Sequence, residues 1–203
     1  GQVREACVFE ENVVMHRRIR MQTESNVLHI IDTIENHDYN PVPLMNLYHI
    51  NFGYPLLNAG ARVYFSTENI EPRDEIARQG FDKYYYIEEP EVNRPEQCYM
   101  HTGGKGNQFG LLHNEKLGLA AAVHFNIDDL PYFCQWKCMK AGDYALGLEP
   151  SVAGYWGLKH ALDNNIIKYL QQGESKTLHV SIEVLDDDKK IKDYISKCKE
   201  SQK

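Results

Sequence analysis

No apolar stretch in this sequence approaches the roughly 20 residues that a membrane-spanning helix needs; Leu117 to Val123 is among the longest. No basic-then-apolar leader opens the chain, so it reads as neither spanning nor exported. Positive charge is scarce as well. Lys and Arg number 22 against 29 Asp and Glu, a net charge of −7, which argues against nucleic acid as the main partner. Arg17, Arg18 and Arg20 are the one basic run, and without a second run a solvated strand is the better reading. Cysteine is present but forms no set. Five at irregular spacing, in a chain too long to need disulfide staples, are expected as reduced thiols in a cytoplasm. Cys134 and Cys138 lack the second ligand pair of a structural zinc site and are expected as buried free thiols.

Reactive loop motifs are missing too. Gly103-Gly104-Lys105-Gly106 has no Ser or Thr after its Lys and no helical pattern downstream, so it reads as a hairpin loop rather than a phosphate cradle. There is no Gly-x-Ser-x-Gly elbow and no His-Glu-x-x-His helix, which removes serine hydrolases and zincins. Repeats, low-complexity tracts and Pro/Gly/Ser linkers are absent. The 203 residues are therefore expected to form one domain, 1–203, around one core. Opening on Gly1 without Met suggests a processed or excised piece of a longer chain.

What is present is strand composition. Arg4 to Arg20 alternates apolar and polar residues around a turn at Glu10-Glu11-Asn12, and Val27 to Ile34 is rich in branched residues. Further strands are expected at Ala61 to Phe65, Cys98 to His101, Gly118 to Phe125, Tyr132 to Met139, Tyr144 to Leu148 and Leu178 to Leu185. Helical spacing occurs at Pro72 to Gln79 and over Lys189 to Lys199, where Ile191 and Ile195 follow the Asp186 to Asp188 cap region. The sum is an antiparallel all-β sandwich or barrel. The long loop Ser151 to Ser175 is a candidate to line a binding face or carry short helices.

Two runs can carry chemistry. His49, between aromatic and amide residues and before a Phe-Gly turn, suits a general acid near neutral pH or a satisfied structural histidine. Glu149 closes an apolar strand; it either reaches solvent at the strand end or sits in a polar site, where partial desolvation would raise it toward a useful base. Trp136 offers a stacking face, and Gln135 and Lys137 offer donors, a mixture suited to a polyhydroxylated ligand.

The runs Asn46 to Leu57, Gln135-Trp136-Lys137 with Met139, and Tyr144 to Pro150, together with the entry Arg4 to Phe9 and the exit Ile182 to Asp186, resemble uncharacterised proteins related to aldose 1-epimerase (galactose mutarotase). The resemblance is collinear over nearly the whole chain. It implies the galactose mutarotase-like β-supersandwich, here corresponding to the C-terminal part and lacking the first strands, with the family's other active-site histidine and its arginine in that unmatched region. It also implies roles: His49 protonates the sugar ring oxygen, Glu149 takes the anomeric proton, and no metal or organic cofactor is needed. His101 sits near the place of a further substrate contact. The implied partner is a small-molecule sugar, with no nucleic acid and no membrane. Phosphorylated sugars are less favoured, because no Arg pair suited to bidentate phosphate contact lies near either motif. The rival expectation is a non-catalytic carbohydrate-binding module on the same fold.

Overall fold

Period-two alternation builds two antiparallel sheets that share one apolar layer. The computed structural model describes residues 1–198. The larger sheet contains β1 (Gln2–Ala6), β2 (Asn12–Met21), β3 (Val27–Asn36), β6 (Arg62–Phe65), β9 (Asn107–Asn114), β10 (Leu119–Asn126) and β14 (Ser175–Leu185), in the order β1-β2-β3-β14-β10-β9-β6. The smaller contains β5 (Ile50–Phe52), β7 (Asn69–Pro72), β8 (Gln97–Thr102), β11 (Tyr132–Cys138) and β12 (Ala145–Ser151), in the order β5-β12-β11-β8-β7. β4 (Val42–Leu44) and β13 (Lys168–Leu170) form a two-stranded ribbon.

The inner faces supply the main core: Val63, Phe65, Leu112, Val123, Phe125, Leu178 and Val180 from the larger sheet meet Tyr99, Phe133, Leu146 and Leu148 from the smaller. The outer face of the larger sheet is partly covered by α3 (Asp188–Ser196), whose Ile191, Tyr194 and Ile195 pack on Tyr64, Phe109, Leu111 and Ala122. The Asp187 side chain caps this helix by accepting from the Lys190 amide. The helix expected to run to Lys199 therefore begins one residue earlier and ends by Ser196, with Lys199 outside the described residues. α1 (Glu75–Gln79) falls inside the expected Pro72 to Gln79 segment, capped by Asp74.

Strands β4, β5, β7, β9 and β13 carry too little branched or alternating composition to read as strands. β9 is the instructive case. Gly110 interrupts its apolar run, yet a Cβ there would lie 2.7 Å from Phe133 Cζ, so the glycine is what lets the second sheet close on it. Between Ser151 and Ser175 the structure has α2 (Gly157–Asp163) and β13 rather than an open loop.

The basic run on β2 is a strand, as expected, and one member is committed. Arg17 Nε donates to Asp32 Oδ1 at 2.8 Å and Nη2 donates to Oδ2 at 2.6 Å, while Asp32 is fully buried on β3. Removing the guanidinium strands a buried carboxylate. Arg17→Met is therefore expected to lower stability by about 2–3 kcal/mol, read as a shift in the urea unfolding midpoint.

Candidate active site

The register of the smaller sheet decides what its outer face presents. Trp136 stands opposite Gly147 on β12 and Cys98 on β8, and Cys134 stands opposite Glu149 and Met100. All of these therefore share the outer face, and their sequence neighbours Phe133, Gln135, Lys137, Leu146, Leu148, Tyr99 and His101 share the inner one. Cys98, Met100 and Cys134 form a small buried floor, against which Tyr132, Trp136, Tyr155 and Trp156 pack.

Glu149 rises from this floor beside His49, which immediately precedes β5. His49 Nε2 lies 3.3 Å from Glu149 Oε1, with the His49 side chain 50% exposed and the Glu149 side chain only 4%. The two are not aligned for a hydrogen bond, so Oε1 is a buried acceptor with no hydrogen-bond partner. Burial pushes the Glu149 carboxyl up to about 7; the Glu96 charge adds to this, and the Cys134 thiol hydrogen bond opposes it. Cys134 itself is pushed up by its Cys98 neighbour, by burial and by the Glu149 charge, and stays a thiol. Glu149 is not at a strand end, as the sequence suggested: β12 continues through Pro150 to Ser151.

Space for the carboxylate comes from Gly147, two residues earlier on the same face. A Cβ there would lie 2.0 Å from Oε1 and 3.1 Å from Trp136 Cβ. Gly147→Ala is expected to push the carboxylate aside. The Glu149 side-chain carbon resonance should then titrate well below 7, toward the ordinary 4.5, and any reaction that depends on the placement should fall by about 10²-fold.

Trp136 meets His49 edge-on, with centroids 5.5 Å apart and planes at 70°. Its Nε1 donates to Glu96 Oε2 at 2.6 Å, and Arg73 Nη1 donates to Glu96 Oε1 at 2.9 Å. The indole hydrogen bond and the guanidinium hold Glu96 below the usual carboxylate range despite partial burial. Arg73 also donates through Nε to Asp74 Oδ2 at 2.8 Å. Beyond Gly154, whose φ of +74° turns the chain back, Tyr155 and Trp156 fold onto the floor, and the Tyr155 hydroxyl is buried without a partner. These residues lie inside the long loop singled out above. Arg73, Glu96 and Gly147 carried no sequence signal of their own.

The structure brings His49, Glu149 and Trp136 together and does not bring the other three candidates to them. Gln135 donates to the Tyr84 carbonyl at 2.7 Å and lies 3.2 Å from His101 Nε2 on the inner face. His101 is stacked 3.6 Å from Phe65, and burial lowers it to about 3, so it is a neutral core histidine. Lys137, with its side chain fully buried, donates to Glu88 Oε2 at 2.8 Å and the Lys83 carbonyl at 2.9 Å. All three polar groups are satisfied inside the sandwich.

The two-sheet sandwich superposes on solved galactose mutarotase-like structures and shares their fold. The family described as a domain of unknown function (DUF4432) matches residues 1–184. The chain belongs to that family. Among solved structures, a Klebsiella pneumoniae protein provisionally described as an aldose 1-epimerase superposes with a TM-score of 0.90 at 23% identity, over 100% of this chain and 55% of its own length. An Escherichia coli K12 protein of the same description gives 0.63 at 13%, over 91% of this chain and 64% of its own. A galactose mutarotase-like protein from Clostridium acetobutylicum gives 0.62 at 11%, over 87% and 57%. This chain thus spans about half the length of the Klebsiella protein. At these identities the likeness is one of fold. No curated protein matches the sequence. No helix among the described residues is long and apolar enough to cross a membrane, and Cys7, Cys98, Cys134 and Cys138 are in no disulfide.

Proposed function

We propose that this chain, acting as one sugar-binding domain, interconverts the anomers of an aldose or aldose derivative, with Glu149 as base and His49 as acid. The observation that carries the reading is the pair itself: a buried carboxylate held near neutrality, with one oxygen unpartnered and an imidazole nitrogen 3.3 Å away. The two sugar oxygens that must exchange protons, the anomeric hydroxyl and the ring oxygen, are bonded to the same carbon. A base and an acid this close are on the right scale to meet both.

In this route Glu149 removes the anomeric hydroxyl proton while protonated His49 delivers one to the ring oxygen. The C1–ring oxygen bond breaks, leaving an open-chain aldehyde, which rotates about C1–C2. Closure on the other face returns both protons, with acid and base exchanging roles. The route uses these two side chains and no cofactor. Trp136, half-buried on the Cys98–Met100–Cys134 floor and edge-on to His49, supplies an apolar face for a sugar beside the pair. Arg73 is already bound by Asp74 and Glu96, which supports a neutral sugar over a phosphorylated one. The thiols of Cys7, Cys98, Cys134 and Cys138, in no disulfide, support a reducing, cytoplasmic setting.

The test is saturation-transfer NMR of α/β exchange across a panel of free aldoses, with and without the chain. Acceleration above the spontaneous rate supports the reading. Sugar-induced shifts in the protein spectrum with no acceleration overturn it in favour of a binding module.

A further inference from the structure

The outer face of the larger sheet carries a second cluster, on the side of the molecule opposite the candidate active site. His29 on β3 stands opposite Ser181 on β14, which in turn stands opposite His124 on β10. His179 and Glu183 flank Ser181 on the same face. His29 Nδ1 and His179 Nε2 approach to 3.2 Å, with ring planes 33° apart. His124 Nε2 lies 3.1 Å from Glu183 Oε2, and the Tyr194 hydroxyl donates to that same oxygen at 2.6 Å. A cavity of about 480 Å³ opens beside the cluster, lined by His124, Asn126, Asp129, His179, Ser181 and Glu183 among others.

We propose that His29 and His179 chelate a divalent transition-metal ion, Zn²⁺ first among those that favour imidazole, with water in the cavity filling the remaining positions. Two ligand nitrogens at 2.0–2.1 Å from a tetrahedral ion lie roughly 3.4 Å apart, close to the spacing of this pair; the hydrogen bond now joining them gives way as the donor ring shifts its proton to its other nitrogen. The strands that carry the two rings are hydrogen-bonded neighbours, which fixes the spacing in advance.

Arg20, opposite His29 on β2, opposes a cation; Glu183 and Asp129 at the cavity offset it. Asp129 is itself bound by Lys176. His124 is held by Glu183 and Tyr194 and forms a wall of the cavity beyond Ser181. The inference is independent of the sugar reading, because none of these residues touches the His49–Glu149 face.

Among the described residues two other donor groups must be kept apart from it: His16 and His37, 3.7 and 3.0 Å from Glu35 Oε2, which the His29 and His179 variants leave intact, and a cysteine-containing turn. Cys7, Glu10 and Glu11 place their ligand atoms within 4.8 Å of one another in the β1–β2 turn, so the test uses the Cys7→Ser chain. Calorimetric titration with Zn²⁺ is expected to give one ion per chain, unchanged by His49→Ala. His29→Ala and His179→Ala are each expected to weaken it by more than about tenfold. In the chain with all its histidines, the ring signals of His29 and His179 should shift together as Zn²⁺ is added. Absence of a one-to-one site, affinity that survives either substitution, or shifts confined to other histidines would each overturn the proposal.

Discussion

Glu149→Gln is expected to reduce anomer exchange by about 10²–10⁴-fold, the usual contribution of a positioned general base, while leaving the sandwich folded. The amide has the shape of the carboxyl but no proton affinity near neutral pH. It keeps the packing against Cys134 and below His49 and removes only the proton acceptor. The rate is read by saturation transfer on the sugar, and the fold by the dispersion of the protein amide spectrum. An unchanged rate sinks the assignment of Glu149 as base. Gly147→Ala serves as its structural companion, because it leaves the carboxyl in the chain and moves it. If the two variants lose exchange to a similar degree, position and chemistry are both required.

The contrast between Trp136 and its two neighbours shows what could be read before the structure and what could not. The strand Tyr132 to Met139 was evident from composition, and so was its polar and aromatic content. By composition alone, Gln135, Trp136 and Lys137 read as one ligand-binding patch. In a strand, however, consecutive side chains point to opposite faces, so at most Trp136, or else Gln135 with Lys137, could face a ligand. Which parity wins depends on partners far away in sequence. Gln135 reaches the Tyr84 carbonyl and Lys137 reaches Glu88, both in an irregular segment with no strand signal. Once those buried donors are satisfied inside, Trp136 must face out.

The same parity places Glu149 outward beside Gly147, through the pairing of Cys134 with Glu149 and of Trp136 with Gly147. His101 follows the opposite parity and joins the core on Phe65. Fold class and the longer strands other than β9 were therefore open to a reading of composition. Facing was not, because it is set by long-range pairing. Arg73 and Glu96 fall in the same blind spot: they flank strands, and only the sheet brings them to Trp136.

Stability against pH offers a check on Glu149 that needs no substrate. Its carboxyl titrates near 7 in the folded chain against an ordinary 4.5. Between those pH values the folded state holds a proton that the unfolded state has released, so this residue's contribution makes stability fall as pH rises through the window. Below 4.5 both states are protonated and the residue is neutral in the balance. Above 7 the full penalty applies, about 3 kcal/mol at 1.36 kcal/mol per pKa unit. Glutamine carries no such penalty. The difference in unfolding free energy between Glu149→Gln and the parent chain is thus expected to grow by about 3 kcal/mol in favour of the variant from pH 4 to pH 8. Urea denaturation of the two proteins measures it, and taking the difference cancels the histidines that titrate in the same range. A difference that stays flat over this interval would show that Glu149 is not held near neutrality. If the difference grows as expected, the fraction of chains whose Glu149 can accept the anomeric proton grows over the same pH interval, since the ionised form that destabilises the fold is the one that accepts it.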